Sequence, residues 1–402
     1  MLALNGIRIL DLGQYVPNSL CTMILGDFGA EVIKVENAAP NALNFQASPK
    51  GEERRREAAF DALNRNKKSI GLNLKSEIGR QIFYKLSKEA DVIIEGFRPG
   101  VVKRLAIDYE TIKEINPRII YCSLSGYGQD GPYKNLPGHD GNYLAVAGAL
   151  SLFGNREGPP VAPMNLLGDF AGASLHGVMG VLIALLARSN TGRGQYVDIS
   201  YTDGIMTFLT NLSIDYFRDG ILPKRGETVL HNAYPYSKTY KTKDDTYVVI
   251  CAIEPWFWGN LCRALGKEDY ITYHCLPEHF YSKPEGDKWE EISSYLEQIF
   301  LTRTSDEWVN FLSTKDVPIS KVNTFDEAVR DPQVLLRKMV IEIKDPTLGS
   351  IKQLGMAIKL SDTPGQVRSL APLFGQHTKD VLQAAGYKPE EIEEMLEKGV
   401  VV

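Results

Sequence analysis

One histidine and two carboxylates stand in settings that suit proton transfer at carbon. His139 lies in Gly138-His139-Asp140-Gly141-Asn142-Tyr143. Asp169 lies in Asn165-Leu166-Leu167-Gly168-Asp169-Phe170, at the head of an apolar run. Glu254 ends a strand-like run in Ala252-Ile253-Glu254-Pro255-Trp256-Phe257. An imidazole and a carboxylate on opposite faces of one carbon can carry a proton from one side to the other, if burial and neighbours tune their pKa values. Each group also has a commoner use. An Asp before an apolar helix caps unpaired backbone N–H groups. A loop histidine is mostly a polar surface group, and a glutamate at a strand end is mostly solvated. Asp140 and Asn142 are placed to orient the His139 ring or fix its tautomer. N–H groups of the helix terminus near Asp169 are placed to stabilise an oxyanion.

Bulk properties narrow the classes. The net charge is −5 and no basic block marks a nucleic-acid surface. The 5 cysteines are odd in number and not closely spaced, which argues against a disulfide framework or a zinc site. Cys21, Cys122, Cys251 and Cys262 sit in apolar contexts and read as core residues. His176, inside the apolar helix, reads as a satisfied core histidine; His231, His274, His279 and His377 read as surface groups. No glycine-rich phosphate loop of the dinucleotide or P-loop type is present. Phe170 to Ala187 carries no formal charge and is just long enough to cross a bilayer. Its Gly172, Gly177, Gly180, Ser174 and His176 make a buried helix with close neighbours the better reading, so no membrane is expected. No signal peptide or peroxisomal address is visible, and a reducing, cytoplasmic setting is the expectation.

The elements that must position these groups alternate in the first half. Strand patterns at Ile7–Asp11, Glu31–Val35, Asp91–Glu95, Ile119–Leu124 and Tyr196–Ile199 are separated by helix patterns at Ser19–Phe28, Ile78–Ala90 and Tyr109–Asn116. That alternation predicts an α/β fold with a doubly wound parallel sheet. Ligands then bind at the carboxyl ends of the strands, in the loops after Val35, Glu95 and Leu124. Asp203–Phe217 reads as one long helix leaving this domain. The character changes from Leu222: strands at Tyr234–Lys243 and Thr246–Ile253 pair antiparallel, and helices follow at Trp256–Leu265, Trp289–Leu301 and Ser305–Leu312. Two short helices close the chain between Thr378 and Lys398. Arg98, just past a strand end, is well placed for phosphate contacts. Arg65, Lys67, Lys68 and Lys75 form a basic stretch that suits a ribose phosphate or plain solvent.

The three site segments are joined by Leu25-Gly26-Asp27-Phe28-Gly29-Ala30-Glu31-Val32-Ile33-Lys34-Val35-Glu36, Glu95-Gly96-Phe97-Arg98-Pro99-Gly100, Ser123-Leu124-Ser125-Gly126-Tyr127-Gly128-Gln129, Thr191-Gly192-Arg193-Gly194-Gln195-Tyr196-Val197-Asp198 and Asp331-Pro332-Gln333. Together, across nearly the whole chain, they resemble the family III CoA-transferase superfamily. Within it, His139 and the Glu-Pro-aromatic-Phe run resemble the α-methylacyl-CoA racemases; transferases typically lack the histidine. The resemblance implies a large α/β CoA-binding domain from residues 1–205 and 331–402, a small α+β domain from 225–330, a linker helix at 206–224, and a homodimer of interlocked chains. It implies His139 and Asp169 as the two bases, with Glu254 of the small domain completing the partner chain's site. Arg98, Asp140, Tyr143, Asn165, Lys68 and Lys75 are the expected substrate and CoA contacts. Coenzyme A enters as part of an acyl-CoA substrate, with no bound cofactor and no metal. Many relatives carry an arginine where this chain has Asn37-Ala38-Ala39-Pro40. The expected reaction is inversion of the α-carbon of 2-methylacyl-CoA thioesters. The alternatives are CoA transfer through an Asp169 thioester and simple acyl-CoA binding.

Overall fold

The computed structural model describes residues 1–38, 51–274 and 286–402. Cys275, His279 and the Ala39-Pro40 pair lie outside the described residues. Six short strands form one parallel sheet: β1 (Arg8–Asp11), β2 (Glu31–Asn37), β3 (Lys67–Leu72), β4 (Val92–Glu95), β5 (Ile120–Ser125) and β6 (Tyr196–Ser200). Their order is β3-β2-β1-β4-β5-β6, with every neighbouring pair parallel. The chain winds outward in both directions from β1 and β4, so the topological switch point lies between them. β4 and β5 are buried along their whole length, because helices cover both faces of such a sheet and the strands read as continuous apolar runs.

The connecting helices follow ordinary sequence logic. Helix α1 (Val16–Asp27) opens with Pro17 in its first turn, where the missing N–H costs nothing. Helix α2 (Glu77–Lys88) is capped by Ser76, whose Oγ accepts from Gly79 N at 2.9 Å. Its buried Ile82, Phe83 and Leu86 pack against Leu10, Ile33 and Ile70 of the sheet. The C-terminal tail completes the same core through Val381, Leu382, Ile392 and Val401, and Val401 bridges to Leu72.

Close packing divides the chain into two units. The first holds Met1–Ala147, Met164–Thr207 and Asp331–Val402, including an antiparallel hairpin of β10 (Val340–Asp345) and β11 (Gly349–Leu354). The second holds Gly148–Pro163 and Phe208–Arg330. Its antiparallel sheet joins β7 (Ser237–Lys241), β8 (Tyr247–Cys251) and β9 (Ile319–Lys321). An aromatic core of Tyr234, Tyr236, Tyr240, Trp258, Trp289, Phe300 and Trp308 backs that sheet. The segment from Gly148 to Pro163, expected in the large domain, packs with this second unit instead.

Several expectations are corrected. Strand β3 is absent from the pattern reading because Arg65, Lys67 and Lys68 look like a solvated run. The structure buries two of them: Arg65 forks onto Asp27 at 2.6 and 3.0 Å, and Lys67 Nζ reaches Asp11 at 3.2 Å and Asn64 at 3.0 Å. Such charges go inside only when paired and hydrogen-bonded. The helix expected over Asp203–Phe217 is two helices, Tyr201–Phe208 and Thr210–Asp219, broken at Leu209. Cys251 is exposed, since alternation on β8 turns it away from the core. His231, His274 and His377 are half-buried and bonded, to Thr228 Oγ1, the Ile253 carbonyl and the Ser69 N–H.

The apolar run after Asn165 begins as a π-helix, Leu166–Leu175, and continues as α4; helix α3 (Asp140–Val146) precedes it, and α4 spans His176–Thr191. Together they form a helix long and apolar enough to cross a membrane by length and composition. It is not the buried helix expected. Val178, Val181 and Ala184 face inward, while Met179, Leu182, Ile183 and Leu186 are exposed.

Candidate active site

A cleft of about 510 Å³ opens at the switch point of the sheet. Its walls are the entry to α1 after β1 (Tyr15, Val16, Pro17), the turn after β4 (Gly96 to Pro99), the end of β5 and the turn after it (Leu124 to Tyr127), the His139 segment and Asp169. The turns after β4 and β5 are those the strand pattern pointed to; the entry to α1 adds the third side. His139 and Asp169, 30 positions apart in sequence, thus line one cavity.

Asp169 is not a helix cap. The residue at the cap position is Asn165, and Asp169 sits one turn further in. There the helix is wound as a π-helix, a form that occurs mostly as local insertions and often at functional sites. The wider winding shows in Ser174, whose Oγ donates to the Asp169 carbonyl five residues back at 2.9 Å. Asn165, expected as a substrate contact, does not line the cleft; its Nδ2 instead donates to Asp169 Oδ2 at 3.4 Å. Burial pushes the Asp169 carboxyl above the usual carboxylate range. The Asn165 amide pulls it back, the Asp140 charge raises it further, and His139 opposes that rise.

Asp140 has a different job from the one its position beside His139 suggested. Its buried Oδ2 accepts from Gly168 N at 2.7 Å and Asp169 N at 2.8 Å. A Cβ on Gly168 would lie 2.6 Å from that oxygen, so only glycine permits the approach. Asp140 therefore fixes the backbone at Asp169 rather than the His139 ring. The same bonds use up the two N–H groups nearest Asp169, which removes them as oxyanion donors. Asn142 Oδ1 likewise accepts from the backbone N of His139, at 3.0 Å. The His139 imidazole itself is exposed at the start of α3.

Tyr143 forms the floor between these groups. Its hydroxyl donates to the Gly138 carbonyl, and its ring packs edge-to-face against Tyr127 and Tyr201, each at 5.1 Å between centroids. A Cβ on Gly126 would lie 2.2 Å from this ring. Burial, helped by Tyr127 and Asp169, pushes the Tyr143 phenol up to about 12, so it stays protonated.

The remaining expected contacts separate. Arg98 lines the cleft. Lys68 is paired with Glu31 at 2.6 Å, and neither it nor the exposed Lys75 lines the cavity. Glu254 lies in the second unit, at the cap position of the helix Pro255–Ala264, where its side chain makes no capping bond.

A set of holding carboxylates was missed. Asp11 Oδ1 accepts from Gly13 N at 2.9 Å, Glu95 Oε2 from Phe97 N at 2.7 Å, and Asp198 Oδ2 from Gln129 N at 3.0 Å. With Asp140, each strand turn bordering the cleft is tied back by a carboxylate. The signal for two of them is an acid at a strand end followed two residues later by the N–H it binds.

The CoA-transferase family III profile matches residues 4–378, and the chain belongs to that family. It is an enzyme acting on acyl-CoA thioesters. An acyl-CoA transferase of Fusarium pseudograminearum is 36% identical over 99% of this chain and 88% of its own length. The α-methylacyl-CoA racemase of Homo sapiens is 32% identical over 97% of this chain and 95% of its own. The crystal structure of a CAIB/BAIF family protein from Brucella suis superimposes with a TM-score of 0.80 at 27% identity, covering 96% of this chain and 99% of that one.

Proposed function

We propose that the chain inverts the α-carbon of 2-methylacyl-CoA thioesters by two-base proton transfer. The observation that carries this reading is an imidazole and a carboxylate lining the same cleft, the carboxylate with a raised pKa. The thioester carbonyl acidifies the α-hydrogen. One base takes that proton, and the C–H electron pair moves onto the thioester oxygen as an enolate. The conjugate acid of the other base then returns a proton to the opposite face as the carbonyl re-forms. A carboxyl with a raised pKa accepts the proton more readily. Arg98 meets the anionic part of coenzyme A. Glu254 acts as a supporting group in the site of a second chain, in an interlocked homodimer. The exposed Met179, Leu182, Ile183 and Leu186 stripe on α4 fits burial against that second copy.

A second reading has its own support. The 36% identical relative is named an acyl-CoA transferase, and Asp169 alone suffices as nucleophile. It would attack the donor thioester, expelling CoA thiolate and giving a mixed anhydride; the same thiolate then attacks the aspartyl carbonyl, releasing the donor carboxylate and leaving an aspartyl thioester. Incubating one pure enantiomer of a 2-methylacyl-CoA in deuterated water, with and without a free carboxylate acceptor, separates them. Deuterium at the α-carbon with inversion and no acceptor requirement is expected; CoA transfer to the acceptor without exchange would overturn the racemase reading. Sedimentation at low concentration tests the assembly, since interlocked chains cannot part without unfolding. A compact, reversible monomer would refute it.

A further inference from the structure

Glu95 is a buried acid under the cleft that the proposed chemistry does not use. It ends β4 at 1% exposure. Its Oε2 accepts from Phe97 N, and Ser123 on the neighbouring strand also favours its charged form. Beyond it the chain turns through Gly96, Phe97 and Arg98, which form one wall of the cleft. This turn is held from the other side by Asn18, whose side chain is buried between two turns. A Cβ on Gly96 would fall 2.3 Å from Asn18 Oδ1, and one on Gly13 would fall 2.1 Å from Asn18 Cβ. The steric stop at Gly96 and the hydrogen bond at Phe97 N–H thus hold the backbone of this turn, beside the packing of the Phe97 ring on the core.

We infer that Glu95 is a positioning residue for acyl-CoA binding: through its bond to Phe97 N–H it fixes the wall that carries Arg98. This rests on the cleft being the acyl-CoA site, and it holds whether the reaction is racemisation or transfer.

The surroundings make the bond pH-sensitive. On β5, Ser123 stands beside Glu95 and Tyr121 shares its face, while Cys122 points to the other face but still feels its charge; on β6 Tyr196 and Asp198, and beyond it Tyr201, are within electrostatic reach. Register places Glu95 beside Ser123, and Ser123 beside Asp198, in one row across the sheet. Burial, with a smaller push from Asp198, raises the Glu95 carboxyl to about 7. An ionised carboxylate accepts a hydrogen bond about twice as strongly as a neutral group, so the wall is held tightest above that pH and loosens below it.

The test is calorimetric binding of free coenzyme A and of one acyl-CoA, with turnover measured beside it, at several pH values from 6 to 8. Wild-type affinity should fall as pH drops through about 7. Glu95→Ala should weaken binding and raise KM by about tenfold, the worth of one charge-assisted bond, with kcat within about twofold. Glu95→Gln keeps an acceptor oxygen for Phe97 N–H, so it should restore most of the affinity and flatten the pH dependence of binding. Gly96→Ala, which drives the turn off Asn18, should weaken binding as Glu95→Ala does. Unchanged affinity in folded Glu95→Ala, or a wild-type pH dependence of binding in Glu95→Gln, would overturn the proposal. If wild type itself bound neither ligand, the reading of the cleft would fail instead, which is a separate result.

Discussion

The two walls that carry Asp169 and His139 are built to different standards. Asp169 is held on every side: its N–H by Asp140, its carboxylate by Asn165, its carbonyl by Ser174. His139 has its backbone tied by Asn142, but its imidazole is exposed. Preorganised groups need no rearrangement as charge develops, so under the proposed chemistry the demanding role falls to Asp169. It leaves the imidazole to be ordered by substrate or by a second chain.

The largest effect should come from Asp169→Asn. The amide fills the same space and keeps a partner for Asn165, yet it can neither take a proton nor act as a nucleophile. Turnover should fall by at least about 10³-fold with folding and assembly intact. Retained activity in a racemase or transferase assay would break the assignment of this wall.

His139→Ala sharpens the contrast. Inversion should drop by about 10²–10⁴-fold, while α-proton exchange persists for the enantiomer whose hydrogen faces Asp169. Near-normal inversion from both enantiomers would show that the imidazole is not a base and would leave transfer as the better reading.

Asp140→Ala probes the holding of Asp169 without touching the reacting atoms. It strips the acceptor from two backbone N–H groups, and unpaired buried donors cost about 1–3 kcal/mol. A fall in kcat of about tenfold to a hundredfold is expected, with little change in KM. A KM effect alone would mean that Asp140 contacts substrate rather than Asp169.

The smallest effect is on stability, at Glu95. Its folded pKa stands at about 7 against an ordinary 4.5. Between those values the folded chain binds more protons than the unfolded one, so this group's contribution to stability falls as pH rises through the window. Glu95→Gln removes the titration. Its stability relative to wild type should rise between pH 5 and pH 8 by about 3 kcal/mol at most, read from denaturant midpoints at both pH values. A constant difference would mean that Glu95 does not titrate there.

Most strands of the parallel sheet are legible in the chain because β1, β2, β4, β5 and β6 are short apolar runs separated by helices of matching period. β3 is not, since its lysines resemble surface until Asp11 and Asn64 are brought against Lys67 by the fold. Asp169 and His139 stand out by residue type and setting, and Arg98 by its place after a strand. What those residues touch is another matter. Sequence points Asp140 at the neighbouring ring because adjacency along the chain is visible and adjacency across 28 residues is not. The π-helix at Asp169 was equally hidden, because its winding departs from the 3.6-residue period by which helices are read.

From the residues alone came the alternation that makes a doubly wound sheet, and the chemical types that can move a proton or form a thioester. Both depend on local pattern: backbone period, burial of apolar runs, and the ionisable groups present. Tertiary structure decided which carboxylates are tied to backbone donors and which is left open to the cleft. Asp11, Glu95, Asp140 and Asp198 tie turns in place, while Asp169, one of the same residue types, faces the cavity. The distinction lies in where the nearest N–H donors end up. A carboxylate surrounded by backbone donors is spent as a brace, and one left with an amide at 3.4 Å and an open cleft remains available for chemistry.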